Sequence, residues 1–148
     1  MATDFFLDSL GQQLKVLNIL VEKAMNNGLK QLGLSLTGTQ VAVLSLVQQR
    51  APITQKQVEV ALKLSHPTTR GIVKRLVATG LVQTTSQAAD QRQIVLRLTA
   101  TGQDLMKTNF EQLKAQVAGV ESQMVNGLST AEQATLQQLL MRMIQNMS

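Results

Sequence analysis

Cysteine, tryptophan and tyrosine are absent from this chain, histidine occurs once, at position 66, and proline twice. Each absence removes a class of chemistry. Without Cys there is no disulfide framework, thiol nucleophile, thiolate zinc site or cysteine redox sensor. One His leaves little for a metal site, and neither a metal nor a cofactor is expected. Three Phe are the only aromatics, so stacking platforms for unpaired bases or for sugars are not expected either. No apolar run approaches 18 residues, and Asp4 and Asp8 stand where a signal peptide would carry its basic region. The expectation is a soluble, cytoplasmic protein with no membrane partner. An enzyme is not expected, because there is no His–carboxylate set, no phosphate-cradling Gly-rich loop and no pair of carboxylates at helical spacing in an apolar setting.

What is present is one domain's worth of chain, 148 residues, enough to bury a core without covalent staples. It is basic, with 14 Lys and Arg against 9 Asp and Glu, a net charge of +5. The distribution says more than the sum. Residues 50–100 hold eight cations (Arg50, Lys56, Lys63, Arg70, Lys74, Arg75, Arg92, Arg97) and two acids (Glu59, Asp90), so this stretch alone carries +6 and the remainder −1. A charge kept only for solubility would be spread out, so the concentration points to a middle segment that faces a polyanion.

Both ends of the chain have helical periodicity. Leu7, Leu10, Leu14, Leu17, Val21 and Ala24 form one seam, which Gly28 and Gly33 weaken and end by about Leu32. From Thr99 onward, Met106, Phe110, Leu113, Val117, Val120 and Met124 alternate spacings of four and three, which predicts one long helix that Gly127 stops. A last helix opens on the capping box Ser129-Thr130-Ala131-Glu132 and carries Leu136, Leu139, Leu140, Met143, Ile144 and Met147. Such seams also suit an intramolecular bundle, but they are longer than one small module can cover. A second copy of the chain is the simplest partner, which predicts an isologous two-fold dimer held through Leu7, Leu10, Leu14, Leu136, Leu140 and Met143. The Met-rich end reads as adaptable packing.

The middle segment reads as short helices followed by a hairpin. Thr37-Gly38-Thr39-Gln40 and Thr54-Gln55-Lys56-Gln57 are capping boxes, Ser65 caps a third helix whose first turn tolerates Pro67, and Gly80 closes it. Two β-prone runs, 81–85 and 94–98, flank a long polar connection over 84–92. Short helix, turn, helix, hairpin is the order of a winged helix-turn-helix. The expected fold is therefore mainly α with a small β-hairpin wing. Residues 35–99 would form the DNA-binding winged helix-turn-helix, and residues 1–34 and 100–148 a helical dimerisation region.

On a helical wheel over 65–79, Ile72, Val73, Leu76 and Val77 gather on one side with Thr69 beside them. Thr68, Gly71, Lys74, Arg75 and Ala78 fall opposite, and Arg70 lies on the flank. A helix in a major groove needs short polar side chains near its N-terminal end, long cations for phosphates and small residues where its backbone comes close. Thr68, the Lys74 and Arg75 pair, and Gly71 meet these needs in turn. Gly71 costs about 1 kcal/mol relative to Ala at mid-helix, which calls for a compensating reason. In the hairpin connection, Arg92 can enter a narrow minor groove and Asp90 can hold its guanidinium in one orientation.

Together these residues resemble the winged-helix domain of the MarR (multiple-antibiotic-resistance regulator) family of bacterial transcription factors. The matching runs are Leu36-Thr37-x-x-Gln40, Pro52-Ile53-Thr54-Gln55, LSHPTTRGIVKRL over 64–76, Gly80-Leu81-Val82, Asp90-x-Arg92 and Leu98-Thr99-x-x-Gly102. The flanking helices extend the resemblance over nearly the whole chain. The resemblance implies a homodimer with a groove helix contacting DNA through His66, Thr68, Arg70, Lys74 and Arg75. It also implies a wing contact by Arg92 steadied by Asp90, and DNA-backbone contacts at Thr54, Gln55 and Lys56. The sequence departs from the family pattern in three places. Gln91 replaces a second wing Arg, Glu59 stands where a small residue is usual, and Lys63 occupies a turn position often filled by Gly. The implied function is a dimeric, sequence-specific regulator of transcription, a repressor on a pseudo-palindromic operator, released by a small lipophilic or anionic effector. The rival reading is a winged helix whose basic face meets an acidic protein and does not read DNA sequence.

Overall fold

Six of the helices open on a side chain that accepts a hydrogen bond from the first turn, four of them at the caps the sequence spacing predicts (Thr37, Thr54, Ser65 and Ser129). The computed structural model describes residues 4–87 and 90–148, with the backbone alone at 87 and 90–92. In chain order the elements are α1 (Leu10–Gln31), α2 (Gly38–Arg50), β1 (Ile53–Thr54), α3 (Gln55–Leu62), α4 (His66–Ala78), β2 (Val82–Gln87), β3 (Asp90–Leu98), α5 (Ala100–Thr108), α6 (Phe110–Met124) and α7 (Thr130–Met147). Thr37 with Gln40, Thr54 with Gln57, and Ser129 with Glu132 form complete capping boxes, and Ser9, Ser65 and Thr99 cap α1, α4 and α5. The result is mainly α with a small antiparallel hairpin and extra terminal helices.

The core lies between α2, α3, α4 and the sheet. Leu44, Val47, Val58, Leu76 and Leu96 are almost wholly buried there, and Leu29 of α1, Met106 of α5 and Leu113 of α6 close the same cluster. The sheet order is β1-β3-β2, all antiparallel, with Ile53 opposite Leu96 and Val82 opposite Leu98. Alternation along β3 turns Leu96 and Leu98 inward and leaves Arg97 exposed.

Two expectations are corrected. The helix predicted as continuous from Thr99 breaks at Asn109 (φ −100°, ψ 8°), where the Asn109 side-chain amide donates to the Leu105 carbonyl at 2.8 Å. A side chain competing for backbone groups in this way interrupts a helix that apolar spacing alone would continue. The seam also divides into two rows. Met106, Leu113 and Val120 are buried in their own chain, while Phe110, Val117 and Met124 face outward. The hairpin strands, for their part, are longer than the apolar runs that announce them. The pairing continues through Thr84, Thr85 and Ser86 to Gln87 opposite Asp90, with an irregularity between Ser86 and Gln87. Polar and β-branched residues, exposed on β2 over 84–86, sustain a ladder against the apolar run of β3. The two-residue β1 has no sequence signal of its own.

The end of the sheet is joined to α5 at one compact junction. Thr99 donates through Oγ1 to the Gly80 carbonyl (2.6 Å) and accepts from the Gly102 amide (3.0 Å), while its own amide donates to Leu81 (3.1 Å). A Cβ at Gly102 would collide with the Leu81 backbone carbonyl. The Leu98-Thr99-x-x-Gly102 spacing is thus a packing requirement: the hydroxyl ties α5 to the end of α4, and the glycine allows the helix to come that close.

Candidate nucleic-acid interface

α3 and α4 meet at a tight corner. Ser65 caps α4 by accepting from Thr68 N (3.2 Å), and Lys63 at the corner adopts the left-handed conformation (φ 54°). A non-glycine residue there carries a cost of about 1 kcal/mol, yet the turn forms with Lys63 where glycine is usual. Thr69, Val73 and Leu76 anchor α4 on the core. Thr68, Arg70, Gly71, Lys74 and Arg75 are exposed on the outer side, as the wheel places them. A Cβ built on Gly71 meets nothing within 4 Å, so no contact inside the chain demands glycine there. Among the described residues, none of Arg70, Lys74 and Arg75 has a carboxylate within ion-pair distance, because both ion pairs found end on Glu59.

The remaining predicted contacts divide. Thr54 is half-buried as the cap of α3 and Lys56 is exposed, but the Gln55 side chain is buried and hydrogen-bonded to Glu59. His66 opens α4 with its ring 66% exposed and its Nδ1 2.6 Å from Glu59 Oε1. The backbone of Asp90 and Arg92 lies at the outer end of β3, and their side chains lie outside the described residues. Of the predicted dimer positions, Leu7 lies in the turn before α1, Leu10, Leu14 and Leu136 are exposed, and Leu140 and Met143 are half-buried.

Glu59 itself is the residue that sequence reasoning treated only as a departure. Burial raises its carboxyl pKa, but hydrogen bonds from His66 and Gln55 and the charges of His66 and Lys56 outweigh that, and the net shift is downward. Its spacing of seven from His66, across a turn, was the available signal. A second feature also went unforeseen. A cleft of about 670 Å3 at the base of the wing is lined by Val47, Gln83, Arg97, Leu98, Lys107 and Phe110, among others. Among the described residues, no three His, Cys, Asp or Glu side chains gather as a metal site, and no helix is long and apolar enough to cross a membrane.

Known proteins share this arrangement. Residues 33–93 match the sequence model of the MarR family. Over 71 residues the chain is 34% identical to the helix-turn-helix-type transcriptional repressor NicR of Pseudomonas putida, a match spanning 48% of this chain and 45% of that protein, so less than half of the relative's length is covered. The fold matches a probable transcriptional regulator from Pseudomonas aeruginosa with a TM-score of 0.75 at 30% identity, covering 92% of this chain and 97% of the other. It also matches a mutant MarR from E. coli complexed with operator DNA, with a TM-score of 0.80 at 25% identity and coverage of 95% and 99%. Helix order, wing and sequence agree, and the chain belongs to the MarR family of winged helix-turn-helix transcriptional regulators.

Proposed function

We propose that this protein is a homodimeric repressor that reads a pseudo-palindromic site in duplex DNA, one winged helix per half-site. The observation that carries this reading is the outer face of α4. Three cations there lack carboxylate partners among the described residues, and they flank a glycine that the chain's own packing does not require. In the major groove, Thr68 would meet base edges, Arg70, Lys74 and Arg75 phosphates, and Gly71 would let the helix sit deep. Arg92, steadied by Asp90, would reach the minor groove from the wing, and Thr54, the Gln55 amide and Lys56 would hold the backbone.

Residues 35–99 would then be the DNA-binding unit, and residues 1–34 and 100–148 the dimerisation region. α7 supports this division, because it runs 18 residues and buries none of them. A helix of that length is marginal alone in water and takes its stability from packing an apolar face. Leu10, Leu14 and Leu17 on α1 and Leu136 and Leu139 on α7 supply that face to a second copy. Release by an effector is supported by the cleft at the base of the wing. Its Arg97 and Lys107 suit an anion and its Phe110 and Leu98 an apolar body.

Selection of bound duplexes from a random pool tests the whole reading, and a two-fold symmetric consensus is the expected result. Lys74→Ala and Arg92→Ala should each weaken binding to all duplexes and lower the salt slope by about 1, whereas Thr68→Ala should also relax base preference by about 1–3 kcal/mol. A pool that yields no consensus, with affinity indifferent to these changes, would instead fit a basic face for an acidic protein.

A further inference from the structure

A carboxylate on a surface that approaches phosphates should oppose binding, since like charges repel. Glu59 occupies that position, on α3 at its corner with α4. Its side chain is only 7% exposed and accepts from His66 Nδ1 at 2.6 Å through Oε1, while Oε2 lies 3.9 Å from Lys56 Nζ. The buried Gln55 adds a further hydrogen bond to the same carboxyl. An ionised carboxylate only accepts, so the proton between it and the ring sits on Nδ1, whether the imidazole is neutral or protonated. With Nδ1 taken and the ring 66% exposed, Nε2 is the nitrogen left to meet anything outside the chain. His66 is also the first residue of α4, at the end of a groove helix that lies nearest the bases.

The geometry points to Glu59 as a positioning residue for DNA binding: it holds the His66 ring so that Nε2 faces the duplex from the first turn of α4. This rests on the DNA reading proposed above. A ring already held in its bound orientation loses less freedom when it docks, and that gain exceeds the repulsion from a carboxylate that Lys56 and His66 themselves screen.

Charge alone predicts that Glu59→Ala, which removes a negative charge, tightens binding. Positioning predicts the reverse. On the duplex recovered by selection, Glu59→Ala should bind about three- to tenfold more weakly. Glu59→Gln keeps an oxygen to accept from Nδ1 and should bind at least as well as the wild type. In a His66→Ala background, Glu59→Ala should no longer weaken binding. Because the chain has one His, nitrogen-15 NMR of the free wild-type protein at a pH where the ring is neutral reads the tautomer directly, and the proton should be on Nδ1. A proton on Nε2, unchanged or tighter binding by Glu59→Ala, or the same loss with and without His66 would each overturn the assignment. Failure of the wild type to bind any duplex would overturn the DNA reading instead, and the tautomer measurement would still judge the Glu59–His66 pair.

Discussion

α2 and α7 differ little in length, 13 residues against 18, and each opens on a complete capping box, yet α2 buries five residues and α7 none. Local sequence signals form both helices, but only α2 finds its packing partner within the chain. The same contrast divides the molecule. The winged-helix segment packs its apolar side chains into a core that Leu29, Met106 and Leu113 of the flanking helices complete, while the terminal helices leave Leu10, Leu17, Leu20, Leu136, Leu139 and Ile144 exposed. Large apolar side chains left exposed in this number fit the association face proposed above. One region has its core within the chain, and the other would be completed in the proposed dimer.

Removing residues 129–148 should break this contrast most severely. The proposed dimer should dissociate in sedimentation, and duplex affinity should fall about a hundredfold or more as two-site engagement is lost. A truncated chain that stays dimeric would show that the exposed face of α7 is not an interface. Gly102→Ala should act next, at the junction between the two regions. The added methyl meets the Leu81 backbone, and the urea midpoint should drop by an amount equivalent to about 1–3 kcal/mol. An unchanged midpoint would mean that the junction between sheet and α5 is softer than its hydrogen bonds imply.

Gly71→Ala should separate stability from binding. Nothing surrounds the new methyl, so the free fold should gain about 0.5–1 kcal/mol while duplex affinity falls. Affinity that rises with stability would remove the groove role of that face. The smallest effect is on acid stability. Because the Glu59 pKa is depressed from its ordinary 4.5, its contribution is complete above that value and is lost as pH falls through the lower, folded-state value. The urea midpoint of the wild type should therefore decline below about pH 4.5 more steeply than that of Glu59→Gln, and parallel curves would argue that the corner does not depend on this carboxylate.

Much of this architecture is legible from local spacing. The capping boxes at Thr37, Thr54 and Ser129 need only four consecutive residues, and the inner and outer faces of α4 follow from 3.6-residue periodicity. What escapes is decided by partners distant in the chain or by a single competing side chain. Asn109 sits on a seam that otherwise looks unbroken. β1 exists because β3 offers Ile53 and Thr54 a free edge. Gln55 and Glu59 look like exposed polar residues until the left-handed turn at Lys63 folds α4 back and closes His66 over them. The apolar seam shows that α6 packs on something, but not that Met106, Leu113 and Val120 take the inner partner while Phe110, Val117 and Met124 are left for another.

The Thr99 junction sets a length. Three hydrogen bonds and a glycine contact leave no slack between the end of α4 and the start of α5. Two groove helices in the proposed dimer are therefore joined through rigid helices, without flexible tethers. A rigid bridge acts as a calliper on B-form DNA, where each base pair adds about 3.4 Å of rise and roughly a tenth of a turn. Inserting one base pair at the centre of a bound site would move the second half-site along the axis and rotate it away from its helix, so such a site should be held by one head only.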